Sequence, residues 1–519
     1  MLVPDDIPRW FLELAFAIYA VSITALVVIE RRKPTATLAL VFALVFVPVL
    51  GLLFYVVFGA RRVRRRRRAR AERIVRPVEA TREFVRVHEI PAEMPERQRG
   101  LVRLAIATAA APLRRAERIA IIVQPDLIFA ALGTAIDEAE HYIHLEFYIW
   151  HDDATGRDLV RRLAAAARVG VTVRVLIDHV GSFGLPDEHF APLVEAGGTV
   201  AIFGRLRVPL LLARSRLNYR NHRKLVVIDG DWGLLGGINV GNEYAGRGQD
   251  HAWRDLMAVI EGDAVIGLGT VFLEDWLAST GHVIDLAGEQ RAALAGIDAR
   301  RAKAHRVGGR QLRRDRAVLA HNPFSALPER APLSTGPLVQ VIPSGPDAPV
   351  AQAIAAQISA AIATAQRRAW LVTPYFIPDD PLVLTMTTAA LRGVDVRIVV
   401  PSPAHNDSRL VAYAAASYYD ELMDAGCRFY EYERGMLHAK YLIIDDVAVI
   451  GSANIDVRSF YINYEIIAML YDGTVTAALA EVFLDDLSAA REVSAHARDD
   501  LSLFRKLAEG TARVLSPLL

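Results

Sequence analysis

Two long apolar runs dominate the N-terminal part of the chain. Residues 10–29 carry Glu13 as their only charge, and residues 36–59 form a second run that contains Pro48. Each run is long enough to cross a hydrocarbon core of roughly 30 Å, and a kinking proline is tolerated in a membrane helix. The pattern therefore predicts a two-helix transmembrane hairpin over residues 1–60.

The charges that flank these runs bear on cleavage and on orientation. A cleaved signal peptide is the alternative for the first run, but Asp5 and Asp6 stand where its basic region belongs. Arginines fill most of residues 61–70, directly after the second run, whereas the turn between the runs is basic only at residues 31–33. Because the heavier basic cluster stays in the cytoplasm, we predict a multi-pass protein of the cell inner (plasma) membrane whose later domains are cytoplasmic. The same cluster is also suited to attract anionic lipid, and the two interpretations are compatible.

A strand, helix, strand pattern occurs twice in the rest of the chain. In the first copy the strands are residues 144–148 and 170–178 around helix 159–168, and in the second they are residues 370–375 and 393–400 around helix 382–392. This spacing is typical of a parallel βαβ unit. We therefore predict an α/β protein with two related domains, at residues 116–286 and 336–519, preceded by a basic juxtamembrane segment and connector at residues 61–115.

Two segments have more than one interpretation. Residues 287–335 are rich in Arg and Ala and then in Pro, without sustained periodicity, which favours a linker or partly ordered insertion over a folded subdomain. Residues 205–217 mix basic residues with a cluster of Val, Pro and Leu. They fit an interfacial lip that touches lipid and equally a buried strand with polar ends.

Composition limits the classes of function. The chain has 519 residues, enough for two or three domains with sizeable cores, and 53% of them are apolar, more than a soluble enzyme usually has. The formal net charge of +1 gives no indication of a nucleic-acid-binding surface. Cys427 is the only cysteine, which excludes an intramolecular disulfide and a cysteine-based metal cluster. We expect neither a metal nor another cofactor.

One polar signature occurs twice, and it is the strongest indication of function. The copies are His222-Arg223-Lys224 with Asp229 and Gly236-Gly237-Ile238-Asn239, and His438-Ala439-Lys440 with Asp445 and Gly451-Ser452-Ala453-Asn454. Aliphatic and β-branched residues follow each triplet, so we predict each His-x-Lys on a buried strand with its two side chains on one face. Lysine occurs at only five positions of this arginine-rich chain, yet both copies have it. A single copy is weak evidence, since a histidine near a strand is more often structural, but two matching copies favour catalysis.

The motif pair resembles that of the phospholipase D superfamily, and longer stretches are similar to its bacterial cardiolipin synthase branch. These stretches are residues 218–221 and 241–244 around the first copy, and residues 341–347, 434–437, 458–460 and 515–519 around and beyond the second. The resemblance covers nearly the whole chain. It implies two phospholipase D-like domains in a pseudo-twofold arrangement.

The resemblance also implies how the two copies share the chemistry. One neutral imidazole attacks phosphorus to form a phosphohistidine, and the other donates a proton to the departing alcohol. An incoming alcohol then attacks the intermediate. The sequence does not say which histidine attacks, and by analogy with the superfamily we expect His222, with His438 as acid and base.

Further residues are predicted around the two histidines. The groups expected to hold the non-bridging phosphate oxygens are Lys224, Lys440, Asn239, Asn454 and Ser452. Each imidazole is expected to have a carboxylate that fixes its tautomer, and the candidates are Glu465 in the second half, which resembles the family's partner, and Asp255 in the first half. A surface carboxylate is the alternative for each. Asp229 and Asp445 complete the catalytic motifs, and we expect them to brace the site more than to touch the substrate.

For the substrate, the resemblance implies transfer of a phosphatidyl group from one phosphatidylglycerol to a second, which gives cardiolipin and releases glycerol. The expected partners are phosphatidylglycerol and anionic membrane lipids, with no nucleic acid, and the sequence identifies no protein partner. Three alternatives stay open. They are a membrane-anchored phospholipase D hydrolase, a phosphatidyltransferase with another headgroup donor, and a non-catalytic lipid-binding scaffold, against which the two intact motif sets argue.

Overall fold

The computed structural model describes residues 8–29, 34–47, 89–204, 218–247, 253–284, 288–289, 335–348 and 352–515. The arginine-rich residues 61–70, the end of the second apolar run, the segment 205–217 and nearly all of 287–335 lie outside these ranges, so the predictions made for them stay predictions. The chain divides into two compact units, one within Met1–Ala71 and Leu206–Asn218 and the other within Glu72–Arg205 and Tyr219–Leu519.

The first unit contains two apolar helices. Helix α1 runs from Arg9 to Ile29 and helix α2 from Pro34 to Phe46. They pack through buried aliphatic side chains, and the Tyr19 hydroxyl of α1 donates to the Leu44 carbonyl oxygen of α2 at 3.1 Å. Within the described residues, no helix has both the length and the apolar character of a membrane span, so the transmembrane hairpin stays a prediction.

The first half of the second unit is built on a seven-stranded sheet. Its helices are α3 (Glu96–Ala109), α4 (Pro125–Asp137), α5 (Ala154–Arg168), α6 (Ala191–Glu195) and α7 (Val265–Thr280), with a 3₁₀ turn at Asp187–Phe190. The strands of this half are β1 (Arg114–Arg115), β2 (Arg118–Ile122), β3 (Tyr142–Phe147), β4 (Thr172–Asp178), β5 (Thr199–Phe203), β6 (Leu225–Ile228), β7 (Trp232–Gly236) and β8 (Met257–Glu261). Strand β1 pairs with the sheet of the second half, and the other seven form the sheet of the first. The sheet order is β2-β8-β7-β6-β3-β4-β5. Strands β3 and β4 are parallel neighbours on either side of α5 in the chain, which confirms the first predicted βαβ unit.

The second half is built on a nine-stranded sheet. Its helices are α8 (Ala353–Ala363), α9 (Asp380–Leu391), α10 (Arg409–Ala416), α11 (Tyr419–Asp424), α12 (Val457–Tyr461), α13 (Gly473–Ser488), α14 (Ala495–Asp499) and α15 (Leu503–Leu515). Its strands are β9 (Leu338–Ser344), β10 (Arg368–Val372), β11 (Phe376–Ile377), β12 (Asp395–Pro401), β13 (Arg428–Tyr432), β14 (Tyr441–Ile444), β15 (Val447–Gly451), β16 (Ile455–Asp456), β17 (Glu465–Tyr471) and β18 (Ala490–Glu492). The order is β1-β9-β17-β15-β14-β10-β12-β13-β18, and β11 pairs separately with β16. Strands β10 and β12 are parallel and flank α9 in the chain, so the second βαβ unit is confirmed as well.

The two sheets repeat one topology. From β2 to β5 in the first sheet and from β9 to β13 in the second, strand order and pairing direction match strand for strand. The central strands are apolar throughout because both of their faces are covered. In β6, Val226 and Ile228 pack among residues of their own half, whereas Leu225 and Val227 belong to a core that contains residues of both halves. This shared core joins the two sheets.

The two motif aspartates close equivalent hairpin turns. Asp229 follows β6 with a φ of 51°, and its carboxylate accepts the backbone N–H groups of residues 140–142 at 2.8 to 2.9 Å. Asp445 follows β14 with the same φ and accepts the N–H groups of residues 366–368 at 2.8 to 3.1 Å, as well as Arg97. Each aspartate lies at the end of its strand opposite the His-x-Lys triplet, roughly 15 Å along the backbone. This position is suited to bracing the fold and does not reach the histidines.

We expect Asp445→Ala to lower the free energy of unfolding by about 3 kcal/mol, because three backbone N–H groups and Arg97 lose a charged acceptor. Asp446→Ala is the matched control in the same turn. It removes ion pairs of a half-exposed side chain and should cost less than about 1 kcal/mol. Denaturant unfolding followed by tryptophan fluorescence measures both. Equal losses, or an Asp445→Ala variant that is fully stable but inactive, would contradict the bracing role.

Candidate active site

The two His-x-Lys triplets lie immediately before the central strands β6 and β14. The sequence pattern predicted the triplets within the strands, but each triplet ends at the residue before its strand begins. The lysine still lies beside its histidine in each copy. Lys224 Nζ donates to the His222 carbonyl oxygen at 2.6 Å, and Lys440 Nζ donates to that of His438.

Each triplet is held by backbone hydrogen bonds from the other half. The bonds run from His222 N to Tyr464 O at 2.9 Å, from Tyr464 N to Arg220 O at 2.8 Å, from His438 N to Arg254 O at 2.7 Å and from Arg254 N to Met436 O at 2.8 Å. The first two bonds and the last two are related by exchange of the halves, as a pseudo-twofold arrangement requires. Because their backbone groups pair across the halves, the triplets leave their own sheets and converge on one place.

The orienting carboxylates are exchanged between the halves. His222 Nδ1 lies 3.0 Å from both oxygens of Glu465, which belongs to the second half. His438 Nδ1 lies 2.7 Å from Asp255 Oδ2, which belongs to the first half. The sequence analysis named one orienting carboxylate in each half, and the structure shows that each of them bonds the histidine of the other half. All four side chains are buried or nearly so.

Ser452 supports Glu465 in this arrangement. Its hydroxyl donates to Glu465 Oε2 at 2.5 Å and accepts the Ile466 N–H at 3.0 Å. The Asn463 side-chain amide donates to Glu465 Oε1 at 3.2 Å. The carboxylate is therefore fixed on two sides before it meets the imidazole. Contact between Ser452 and a substrate phosphate stays a prediction.

The His222–Glu465 pair has an ionised carboxylate. Burial alone would raise the pKa of Glu465, but the neighbouring His222 and Lys224 and the hydrogen bonds that it accepts outweigh burial, and the pKa lies below its ordinary value. Burial lowers the pKa of His222 to about 4, although the negative charge of Glu465 raises it in part. At neutral pH the ring is therefore neutral. Its Nδ1 proton is directed at Glu465, which leaves Nε2 as the basic nitrogen.

The His438–Asp255 pair has a different charge state. Burial raises the pKa of Asp255 to about 7, although Lys440 opposes this rise. Burial and the nearby lysines hold the pKa of His438 well below its ordinary value. Because the two groups share one short hydrogen bond, the pair titrates as a unit and holds an additional proton up to about pH 7. The two halves match in geometry but differ in protonation.

Both motif lysines are buried within the same site. Burial lowers the pKa of Lys224 well below its ordinary value and that of Lys440 to about 8. Each lysine also acts on the opposite histidine, since Lys440 adds to the effect of burial on the pKa of His222, and Lys224 does so for His438. Four basic side chains from separate halves thus form one electrostatic site. Such a site is suited to an anionic group such as a phosphodiester.

The two motif asparagines differ in their contacts. Asn239 Oδ1 accepts the Ile149 N–H at 3.1 Å, and its Nδ2 donates to the Tyr244 hydroxyl at 2.9 Å. The backbone N–H of Asn454 donates to the Ser459 hydroxyl at 3.2 Å, whereas its side-chain Oδ1 is buried and accepts no hydrogen bond from the described residues. These bonds fix the loops that follow β7 and β15. A direct contact between either amide and a phosphate oxygen stays a prediction.

Three aromatic side chains around the histidines were not predicted from the sequence. The ring of Tyr148 lies edge-on to His222, with centroids 4.9 Å apart. Trp253 and Tyr244 lie 5.2 and 5.7 Å from the ring of His438. Tyr148 directly follows β3, but no spacing rule in the sequence links any of the three to a histidine. Their apolar surfaces help to keep water from the imidazoles.

Arg223, the middle residue of the first triplet, connects the halves. Its guanidinium forms a buried salt bridge with Asp275 and donates to the carbonyl oxygens of Glu465 at 3.1 Å and Ser344 at 3.0 Å. Two of these three partners belong to the second half. The second triplet has Ala439 at this place, so the pseudo-symmetry is broken here. The sequence offered no signal for this role.

One group of described side chains has the composition of a cation site. Ligand atoms of His151, Asp153 and Glu243 lie within 4.8 Å of one another. The two oxygens of Asp153 accept the N–H groups of Gly156 at 2.9 Å and Asn242 at 2.7 Å, and His151 Nδ1 lies 3.1 Å from Glu243. These groups satisfy one another and the backbone, and give no positive indication of a metal.

Comparisons with known proteins confirm the resemblance carried by the motifs. The family described as cardiolipin synthase, PLD-like domain, matches residues 132–267 and 358–487. Both triplets and both orienting carboxylates lie within these ranges. The chain is 36% identical over 510 residues to cardiolipin synthase 2 of Bacillus cereus, which covers 97% of this chain and 91% of that protein. It is 34% identical over 504 residues to the cardiolipin synthase of Geobacillus kaustophilus, which covers 96% and 92% respectively.

Among solved structures, the crystal structure of a phosphatidylserine synthase from Haemophilus influenzae is similar in fold. The TM-score is 0.57, and the match covers 82% of this chain and 100% of that chain. Since the identity is 15%, this similarity concerns the fold alone.

We expect Lys440→Met to abolish phosphatidyl transfer and yet to raise the free energy of unfolding at pH 7 by about 1 to 3 kcal/mol. The fall in the pKa of Lys440 from 10.5 to about 8 reflects the cost of keeping this cation buried. Methionine has a similar shape and removes that cost. Unfolding by denaturant at pH 7 measures the gain, with the exposed Lys506→Met as the control.

The same gain should shrink at high pH. Between about pH 8 and 10.5 the unfolded state of the parent chain binds more protons than the folded state, so the parent becomes more stable as the pH rises. The methionine variant lacks this titration. A variant that is less stable than the parent at pH 7, or a difference that does not change with pH, would contradict the electrostatic explanation.

Proposed function

We propose a specific reaction for this chain, which belongs to the cardiolipin synthase family of proteins with phospholipase D-like domains. It is an enzyme, a phosphatidyltransferase. It transfers a phosphatidyl group from one phosphatidylglycerol to a second, giving cardiolipin and releasing glycerol. The observation that carries this function is the convergence of two histidine–carboxylate pairs and two buried lysines in one site.

In the first step, His222 is the nucleophile. Its basic Nε2 attacks the phosphorus of the first phosphatidylglycerol, and the bond between phosphorus and the glycerol oxygen breaks. The proton held by the His438–Asp255 pair passes from His438 to that oxygen, so glycerol leaves as a neutral alcohol. The phosphatidyl group is then bonded to His222 as a phosphohistidine, and the ionised Glu465 stabilises the charge on the ring.

The charge states of the two pairs favour this division of roles. A nucleophile must be unprotonated, and the low pKa of His222, about 4, keeps its ring neutral. A general acid must hold a proton near neutral pH, and the His438–Asp255 pair does so up to about pH 7. If His438 were the nucleophile, the proton for the leaving glycerol would have to come from the His222–Glu465 pair. That pair holds no additional proton at neutral pH.

In the second step, His438 acts as the base. The hydroxyl of a second phosphatidylglycerol gives its proton to His438 and attacks phosphorus, and the phosphorus–nitrogen bond breaks. Cardiolipin leaves, His222 is again neutral, and the His438–Asp255 pair has regained its proton. The catalyst is therefore restored with all atoms accounted for.

Lys224 and Lys440 hold the non-bridging oxygens while negative charge builds on them. Both ammonium groups are buried beside the histidines, where a fixed donor acts more strongly than in water. Loss of one such donor typically costs about 3 to 4 kcal/mol of transition-state stabilisation. Asn239, Asn454 and Ser452 add further contacts to these oxygens, and Asn239 and Ser452 also fix the loop after β7 and the carboxylate of Glu465.

The enzyme is held in the inner membrane by α1 and α2, with its catalytic domains in the cytoplasm. Large apolar side chains cover the outer surfaces of these helices, Phe16, Val21 and Phe42 among them. The arginine-rich residues 61–70 favour this orientation and attract anionic lipid. Because both substrates are confined to the bilayer, an anchored enzyme meets them where they reside.

Purified chain supplied with radiolabelled phosphatidylglycerol in detergent micelles should form cardiolipin and glycerol in equal amounts. His222→Ala removes the nucleophile and should lower the rate by about 10⁴-fold or more. The exposed His282→Ala is the matched control and should leave the rate unchanged. Phosphatidic acid as the sole lipid product would show a hydrolase, and an unchanged yield from His222→Ala would show a lipid-binding scaffold. Either outcome overturns the proposed function.

The pH profile of kcat/KM tests the division of roles. The rate should rise through about pH 4 as His222 loses its proton, and fall through about pH 7 as the His438–Asp255 pair loses its own. Asp255→Asn should lower the rate by about 10² to 10⁴-fold and move the upper limb to lower pH, because the pKa of His438 is low without a carboxylate. Initial rates in buffered micelles measure both effects.

Trapping the phosphohistidine intermediate tests which histidine is the nucleophile. Rapid alkaline quenching and peptide mapping should find the labelled phosphatidyl group on the peptide that contains His222. A label on the peptide that contains His438 would reverse the assignment, and a pH profile of Asp255→Asn that keeps the upper limb near pH 7 would remove its physical basis.

A further inference from the structure

Helix α15, near the C-terminal end of the described chain, has an inverted polarity. Leu503, Phe504, Leu507, Val514 and Leu515 fall on one side of it at 3.6 residues per turn. We call these five residues the apolar stripe. The stripe faces outwards, since Phe504 is 80% and Val514 78% exposed. A helix that packs on a soluble domain normally turns its apolar side to the core.

The opposite, charged side of α15 contacts the protein. Glu509 is buried and accepts hydrogen bonds from Arg498 at 3.0 Å and from Arg505 at 2.7 Å. Arg513 lies over the ring of Tyr418, 4.4 Å from its centroid. These polar contacts fix the rotation of α15 about its axis. The apolar stripe cannot turn inwards without breaking them.

The start of the apolar stripe is directed towards the end of the domain that holds the active site. Arg505, near the start of α15, lies 4.7 Å from the ring centroid of Tyr413 within α10, and Arg513 contacts Tyr418, just beyond α10, so the two helices run in the same direction. Residues 402–408 connect the carboxyl end of β12 to α10, and β14, which begins directly after Lys440, starts at the same end of the sheet. The loop before α10 therefore lies at the end of the sheet that holds the active site, and we call it the rim of the site.

We propose that the apolar stripe inserts into the surface of the lipid bilayer, so that α15 is an interfacial helix that holds the rim of the active site against the membrane. Leucine, phenylalanine and valine on one side with basic residues beside them are typical of such helices. The exposed Lys506 and Arg409 are suited to anionic headgroups such as that of phosphatidylglycerol. The proposal rests on the proposed function in one respect, namely that the substrates are lipids of this bilayer.

A second protein chain fits the apolar stripe less well. A stable protein interface uses about 20 to 30 residues on each side, whereas the stripe consists of five side chains on one helix.

A fluorescent label within the stripe tests the proposal. Thr511 is exposed and lies between the apolar residues of the stripe, so Thr511→Cys keeps all five, and the native Cys427 is buried. Thr388→Cys, on the exposed side of α9, is the matched control. The full chain carrying an environment-sensitive fluorophore at either cysteine is reconstituted into vesicles of phosphatidylglycerol and phosphatidylcholine with brominated acyl chains. We expect quenching at residue 511 to exceed that at residue 388 about threefold or more, because an interfacial helix lies 5 to 10 Å below the surface.

Two outcomes would overturn the proposal. Emission typical of water at residue 511, without quenching, would show that the apolar stripe faces solvent. Blue-shifted emission that brominated lipid does not quench would show that protein covers it, either a second copy or another segment of this chain. Neither outcome depends on turnover, so this test is separate from the test of the proposed function.

A paired kinetic measurement shows whether the contact serves catalysis. The double variant Phe504→Asp, Leu507→Asp should raise the KM for phosphatidylglycerol in vesicles by about tenfold, while kcat in detergent micelles stays that of the parent chain. Leu384→Asp, Leu391→Asp makes the same change at two exposed leucines of α9 and should leave both constants unchanged. A normal KM in vesicles for the α15 variant would contradict a role at the membrane even if its kcat were intact.

Discussion

The hydrogen bonds between each histidine and a carboxylate of the opposite half are the interactions on which this structure depends. Because Glu465 serves His222 and Asp255 serves His438, neither half contains a complete catalytic pair. The two domains must dock to within hydrogen-bond distance before either imidazole has a fixed tautomer. The shared apolar core and the buried contacts of Arg223 provide that docking. The site is therefore complete only when the two halves are docked.

The same docking places four basic side chains out of water. Burial lowers the pKa of both histidines and both lysines, because keeping these basic groups away from water has an electrostatic cost. A phosphodiester anion offsets that cost when it binds, so the site is preorganised for charge that only the substrate brings. Stability is supplied elsewhere, by the apolar strands and by the aspartates that close the hairpin turns far from the chemistry. Function and stability are thus divided between the two ends of the same strands.

The difference between the two halves is as informative as their similarity. Duplicated sheets with matching strand order create two equivalent positions, yet a two-step transfer needs an unprotonated nucleophile and a protonated acid at the same pH. The neighbouring His222 and Lys224, with the hydrogen bonds that Glu465 accepts, keep the pKa of Glu465 low, whereas burial raises the pKa of Asp255. In the proposed mechanism, these different surroundings separate two roles that the backbone symmetry makes equal. In helix α15, charged contacts likewise hold one side to the domain, and the apolar stripe on the other side is left to contact the lipid bilayer, as proposed.

The sequence by itself determined the secondary structure of the two βαβ units, the duplicated motifs and the family, because apolar periodicity and motif spacing are local properties of the chain. It also singled out Glu465 and Asp255, but it could not assign them to histidines, since that pairing exists only after two sheets have docked. Tyr148, Trp253 and Arg223 were missed for the same reason. The apolar stripe of α15 has ordinary helical spacing, which alone predicts a buried face. Only the contacts of Arg505, Glu509 and Arg513 decide that it faces outwards, because tertiary packing fixes the rotation of a helix and its sequence does not.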